Sequence, residues 1–129
     1  MKRVLIIEDE VVIRIGFEKL LKKRSCIIDK VRSFQEALIA LDNFSYDLIL
    51  LDLVIPPYEK ESGFNIIKKL KEKKLNQATP IVIISGKKSE EEIKKRIHED
   101  DNVVDVLIKP VQNDKLLEAV EKVLGPCTA

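Results

Sequence analysis

Four short apolar runs in this sequence each end in residues able to do chemistry. Val4-Leu5-Ile6-Ile7 runs into Glu8-Asp9-Glu10, and Leu48-Ile49-Leu50-Leu51 into Asp52. Ile81-Val82-Ile83-Ile84 runs into Ser85-Gly86, and the stretch closing with Val106-Leu107-Ile108 into Lys109-Pro110. Carboxylates brought together repel one another and call for a cation. A hard divalent ion such as Mg²⁺ fits, because it takes oxygen ligands in an octahedron and keeps some water. Asp52 could then act as a nucleophile towards phosphorus. The metal, the Ser85 hydroxyl and the Lys109 ammonium would neutralise and orient the phosphoryl oxygens, since such transfers depend mainly on positioning and electrostatics. Each residue alone has a plainer reading. A Glu-Asp pair after a strand is commonly a turn or helix cap, a strand-end Asp or a Ser-Gly a turn, and a lone Lys a solvated surface group. Only their joint placement at four strand ends points to a site.

That placement requires the elements to alternate. The four runs are nearly continuous, as strands buried on both faces are. A fifth, Cys26-Ile27-Ile28 with Val31, is interrupted by polar residues and suits a sheet edge. Helical stripes lie between them: Ile13, Gly16, Phe17, Leu20 and Leu21; Phe34, Ala37, Leu38 and Leu41; Phe64, Ile67 and Leu70; Ile93 and Ile97; and Leu116, Leu117, Val120, Val123 and Leu124. Capping boxes, Ser33-x-x-Glu36 and Ser89-x-x-Glu92, sign two of the helix starts. Strict βα alternation, five times over, forces a three-layer α/β fold with a doubly wound parallel sheet and right-handed crossovers. Ligands of such sheets bind beyond the carboxyl ends of the strands, which is where the five functional side chains fall.

Composition narrows the class. The chain's 129 residues make one ordinary domain. Its 23 basic and 22 acidic residues leave a net charge of only +1, unlike a nucleic-acid binder. Lys68, Lys69, Lys71, Lys73 and Lys74 form a basic run, but with Glu72 among them and few aromatics they read as a solvated helix face. His98 stands among acidic neighbours without evident metal partners, and reads as a surface residue. Cys26 and Cys127 lack metal-ligand spacing and read as free thiols of a reducing compartment. No stretch approaches the ~20 apolar residues of a spanning helix, and the opening residues lack the pattern of a signal peptide. A cytoplasmic protein without a membrane or direct nucleic-acid partner is expected.

From about Lys2 to Leu124 the sequence resembles the receiver domain of two-component response regulators. The resemblance is carried by the segments Val4–Glu10, Asp47–Pro56, Pro80–Gly86 and Leu107–Pro110. It implies a flavodoxin-like fold of five parallel strands in the order 2-1-3-4-5 with five helices, a domain over 1–125 and a tail over 126–129. Glu8 and Asp9 match the acidic pair that holds Mg²⁺, or Mn²⁺ in its place, and Asp52 matches the phosphoacceptor. Val54 matches the residue whose backbone carbonyl completes the metal site. Ser85 matches the hydroxyl that follows the phosphoryl group, and Lys109 the lysine that pairs with it. Pro110 suggests a cis Lys109-Pro110 bond. The implied function is a phosphorylation switch rather than a metabolic enzyme. A histidine kinase or histidine phosphotransfer protein would donate, and a downstream target would read the face made by the fourth helix, fifth strand and fifth helix. A homodimer is compatible with this.

Three departures stand out. Val106 occupies the position, three before the lysine, where the family usually has an aromatic ring that moves with the hydroxyl. The segment from Asp52 to Gly63 is about three residues longer than the family norm, a change that costs little entropy and is expected to be a harmless insertion. The alternative is that Tyr58 or Glu59 overhangs the site. Lys87 and Lys88 follow Ser85-Gly86, expected as a solvated start to the fourth helix, although one could reach the phosphoryl group. Two other functions compete. A haloacid-dehalogenase-type phosphatase also uses a strand-end Asp, but wants a second Asp two positions on, where Val54 stands. A degenerate receiver would bind partners without phosphorylation.

Overall fold

In the computed structural model, which describes residues 1–58, 62–86, 88–99 and 101–126, strands and helices alternate from end to end. They are β1 (Arg3–Ile7), α1 (Val11–Lys22), β2 (Ile27–Val31), α2 (Phe34–Asn43), β3 (Leu48–Asp52), α3 (Ser62–Leu70), β4 (Ile81–Ser85), α4 (Glu90–Lys94), β5 (Val103–Ile108) and α5 (Asn113–Leu124). The strands form one parallel sheet in the order β2-β1-β3-β4-β5.

The period of two along each strand sorts the apolar residues between two cores. Leu5, Ile7, Ile49, Leu51 and Ile83 face one way and pack with Leu41 of α2, Ile66 of α3 and Ile93 of α4. Val4, Ile6, Leu48, Leu50 and Val82 face the other way, against Phe17 and Leu21 of α1 and Leu116 and Val120 of α5. The continuous apolar runs of β1, β3 and β4 thus supply both cores at once, which is why no polar residue interrupts them.

Two expectations need correction. β5 is not buried on both faces: it is the second edge of the sheet, pairs only with β4, and leaves Val104 55% and Ile108 42% exposed. Asp105 interrupts the run within β5, the same kind of polar break that marks β2, and an edge strand is covered on fewer sides. The stripe of Ile93 and Ile97 gives only a short helix; α4 ends at Lys94, and Ile97 packs against the core from beyond it. The polar-interrupted run does form an edge, β2.

Local signals otherwise act as their chemistry dictates. Ser33 and Ser89 accept the backbone N–H of Glu36 and Glu92, so both capping residues work as read. Buried Asn76 secures the entry to β3. Its amide donates to the carbonyls of Leu41 (2.8 Å) and Phe44 (2.9 Å) and accepts from Tyr46 N (2.9 Å). These bonds satisfy carbonyls that α2 leaves free at its end. Lys69, Lys71 and Lys73 of the basic run form ion pairs with Glu72, Asp101 and Asp42. Among the described residues, no helix is long and apolar enough to cross a membrane.

Candidate functional site

Each candidate residue is set by the end of a strand. Asp52 is the last residue of β3 and pairs with Ile84. Glu8 follows β1, held by its N–H to the carbonyl of Val31 (3.0 Å). Ser85 closes β4, and its carbonyl accepts the N–H of Lys109, the first residue after β5 (2.7 Å). The parallel sheet therefore carries all four to one rim. The cleft there, about 370 Å³, is lined by Asp9, Glu10, Asp52, Val54, Tyr58, Gly86 and Lys109. The Lys109-Pro110 bond is cis, as is Pro56-Pro57.

Lys109 is the centre of the arrangement. Its Nζ lies 2.8 Å from Oε1 of Glu8, 3.1 Å from Oδ2 of Asp52 and 3.6 Å from Oε1 of Glu10. Gly86 leaves room for its stem; a Cβ there would stand 3.3 Å from Lys109 Cδ. Asp52, 4% exposed, also accepts the N–H of Val54 through Oδ1 (3.0 Å). Ligand oxygens of Glu8, Asp9 and Asp52 lie within 4.8 Å of one another.

One ammonium does not balance this cluster. Glu8 is 1% exposed, and neither of its oxygens has a hydrogen bond of sound geometry, although Oε1 is ion-paired with Lys109. Burial first, and then the adjoining Asp52 carboxylate, push Glu8 up to about 8, against the pull of Lys109. Burial pulls Lys109 down, but Glu8 and Asp52 together outweigh it and raise the lysine above its ordinary value. Buried Glu8 oxygens without a hydrogen bond of sound geometry, beside two further carboxylates, are the donor set a hard divalent cation takes.

A pH dependence follows for the metal-free protein. Unfolded, Glu8 releases its proton near its ordinary value of 4.5; folded, it holds the proton to about 8. Between these values the folded state binds more protons, so stability falls as pH rises through that window. Denaturant unfolding in chelator, at pH values below, within and above the window, will show this slope. Glu8→Gln will flatten it, whereas a slope unchanged by that substitution would place its origin elsewhere.

The structure separates the other predicted residues. Val54 lines the cleft beside Asp52. The Ser85 hydroxyl, 2% exposed, is turned into its own loop, donating to the carbonyl of Lys88 (3.1 Å) and accepting the N–H of Lys88 (3.2 Å). Val106 is 8% exposed and packs in the α2–α3–α4 core. Lys88 precedes the helix, whose cap is Ser89. Lys87, Glu59, Asp100 and Cys127 lie outside the described residues. Tyr58 does overhang the site: its hydroxyl donates to Oδ2 of Asp9, a contact that raises the phenol above its ordinary value. The expectation of a harmless insertion thus misses a residue that touches the cluster; only the extra length and the aromatic in it signalled this.

Comparison with known proteins places the arrangement in a family. The response regulator receiver domain matches residues 4–121. The chain is 30% identical over 124 residues to the response regulator ArlR of Staphylococcus aureus, covering 96% of this chain and 53% of that one. It spans between 17% and 53% of the length of the curated relatives it matches. The chemotaxis response regulator CheY4 of Vibrio cholerae superposes with a TM-score of 0.82 at 25% identity, over 96% of this chain and 99% of that one. The receiver domain of the sensor histidine kinase PA1611 of Pseudomonas aeruginosa PAO1, solved with a magnesium ion coordinated in its active site cleft, shares the fold. Its TM-score is 0.79 at 18% identity, over 97% of this chain and 98% of that one. By sequence, by strand order and by the acidic cluster at the sheet's rim, this chain belongs to the response regulator receiver domain family.

Proposed function

We propose that the chain is a phosphorylatable switch of a two-component phosphorelay, in which Asp52 accepts a phosphoryl group from a histidine kinase or histidine phosphotransfer protein. The observation that carries this is Lys109, whose Nζ bridges Asp52 and Glu8 at the base of an acidic cleft. Mg²⁺, held by Glu8, Asp9, Asp52 and the Val54 carbonyl, would supply positive charge to the transferring group. An ion of this kind coordinated in the PA1611 receiver supports that assignment.

In the transfer, an Asp52 carboxylate oxygen forms a bond to phosphorus as the bond to the donor's imidazole nitrogen breaks. The electron pair leaves with the imidazole, which takes a proton from solvent. The Val54 N–H fixes the Asp52 side chain in place. Lys109, already 3.1 Å from Asp52, meets the negative charge on the incoming oxygens without reorganisation. To donate to those oxygens the Ser85 hydroxyl must give up the bond it donates to the Lys88 carbonyl. That release frees the segment leading into α4, and so links the acceptor to the α4–β5–α5 face, where Val104 and Ile108 are exposed for a downstream target. With Val106 in place of a ring, this backbone link carries the signal.

The test is a thermal-shift series with Mg²⁺ and beryllofluoride, a stable mimic of an aspartyl phosphoryl group. Mg²⁺ alone should raise the melting temperature, and beryllofluoride should raise it further only with Mg²⁺ present. Asp52→Asn should lose the second increment. An increment retained in Asp52→Asn would overturn the assignment of the acceptor.

A further inference from the structure

The β3–α3 connection brings an aromatic residue onto the acidic cluster, and it is built to do so. Ile55 is fully buried as an anchor. Around it the carbonyl of Pro56 accepts the N–H of Phe34 (2.9 Å), and the carbonyl of Ile55 accepts both Tyr58 N (2.8 Å) and Ser62 Oγ (3.0 Å). Tyr58 stands at φ 61, in the left-handed region that a bulky side chain rarely enters. Being 60% exposed, its ring gains little from packing. The contact that orients it is the hydrogen bond from its hydroxyl to Oδ2 of Asp9.

Asp9 needs such a partner. Glu8 and Asp52 are fixed by burial and by Lys109, whereas Asp9 is only half-buried, and Tyr58 is its side chain's one hydrogen-bond partner among the described residues. A carboxylate offers about four acceptor sites, so the phenol leaves ample capacity for a cation. We propose that Tyr58 is a positioning residue that holds the Asp9 carboxylate ready for the divalent cation, so that the longer β3–α3 connection tunes metal affinity in this chain. The inference rests on the metal-binding reading of the cleft. Groups that orient metal ligands from outside typically matter by 10- to 100-fold; an exposed phenol belongs below that range.

Calorimetric titration with Mg²⁺ of the wild type, Tyr58→Phe and Tyr58→Ala tests this, with unfolding in chelator as the control for structure. Tyr58→Phe keeps the ring and loses the hydroxyl. It should weaken Mg²⁺ binding roughly three- to tenfold while leaving metal-free stability unchanged, and Tyr58→Ala should weaken it at least as much. In an Asp9→Asn background, Tyr58→Phe should add no further loss. Wild-type affinity in Tyr58→Phe, or tighter binding because the phenol competes for Asp9, would overturn the proposal alone. A wild type that binds no Mg²⁺ would overturn the reading of the cleft and this proposal with it.

Discussion

Lys109→Ala should slow phosphoryl uptake from a small donor by about 10²- to 10³-fold, the scale expected when a pre-placed charge is removed from a transferring group. The substitution removes an ammonium that is, among the described residues, the one within 3.1 Å of both Glu8 and Asp52. Its second effect is on the fold. Breaking a buried ion pair from one side leaves an uncompensated charge, which can cost 3–5 kcal/mol. Here Glu8 holds a proton up to about 8 and so sheds its own charge, which brings the expected loss near neutral pH down to about 2 kcal/mol. Added Mg²⁺ should restore much of the stability, because it neutralises the same carboxylates, but little of the rate. Single-turnover phosphorylation and denaturant unfolding, each with and without Mg²⁺, separate the two. A near-wild-type rate would mean that Lys109 does not meet the phosphoryl group.

Gly63→Ala should destabilise the protein by about 3 kcal/mol, from backbone overpacking, although it replaces glycine with a better helix former. Gly63 lies in α3 and donates its N–H to the carbonyl of Leu53 (3.1 Å). A Cβ there would stand 2.4 Å from Leu53 Cα and 2.6 Å from its oxygen, backbone atoms with nowhere to retreat. The helix preference for Ala, about 1 kcal/mol, cannot offset that collision. Gly16→Ala is the internal control. It lies in α1 with nothing within 4 Å of its Cβ, and should be neutral or stabilising. Because Leu53 joins Asp52 to Val54, Gly63→Ala should also weaken Mg²⁺ binding. Equal unfolding midpoints for the two variants would contradict the close approach of α3 to the end of β3.

These cases show why the site was more legible than its surroundings. Uninterrupted runs such as Ile81–Ile84 have to face apolar layers on both sides, so their order along the chain dictates the rim on which Glu8, Asp52, Ser85 and Lys109 meet. Side-chain type then narrows the chemistry. What the sequence concealed depends on contacts it does not encode locally. The exposure of Val104 and Ile108 follows from a neighbouring strand that is not there, and only Asp105 within β5 hints at it. The Ser85 hydroxyl points to Lys88 because of the turn after β4, a geometry that Ser-Gly alone does not specify. Tyr58 could be named only as an alternative to a harmless insertion, since the hydrogen bond that brings it to Asp9 joins residues 49 positions apart. Short α4 was equally hidden: two isoleucines at helical spacing are satisfied whether or not the helix continues between them.

In the proposed function, Asp52 accepts a phosphoryl group with the help of a divalent cation. Intact-mass measurement after incubation with acetyl phosphate tests it most directly, for the wild type and Asp52→Asn, with Mg²⁺ and with chelator. One added phosphoryl group is expected on the wild type in Mg²⁺, and none in chelator or on Asp52→Asn. Equal modification of Asp52→Asn would contradict it, as would a folded wild type that takes up neither a phosphoryl group nor beryllofluoride.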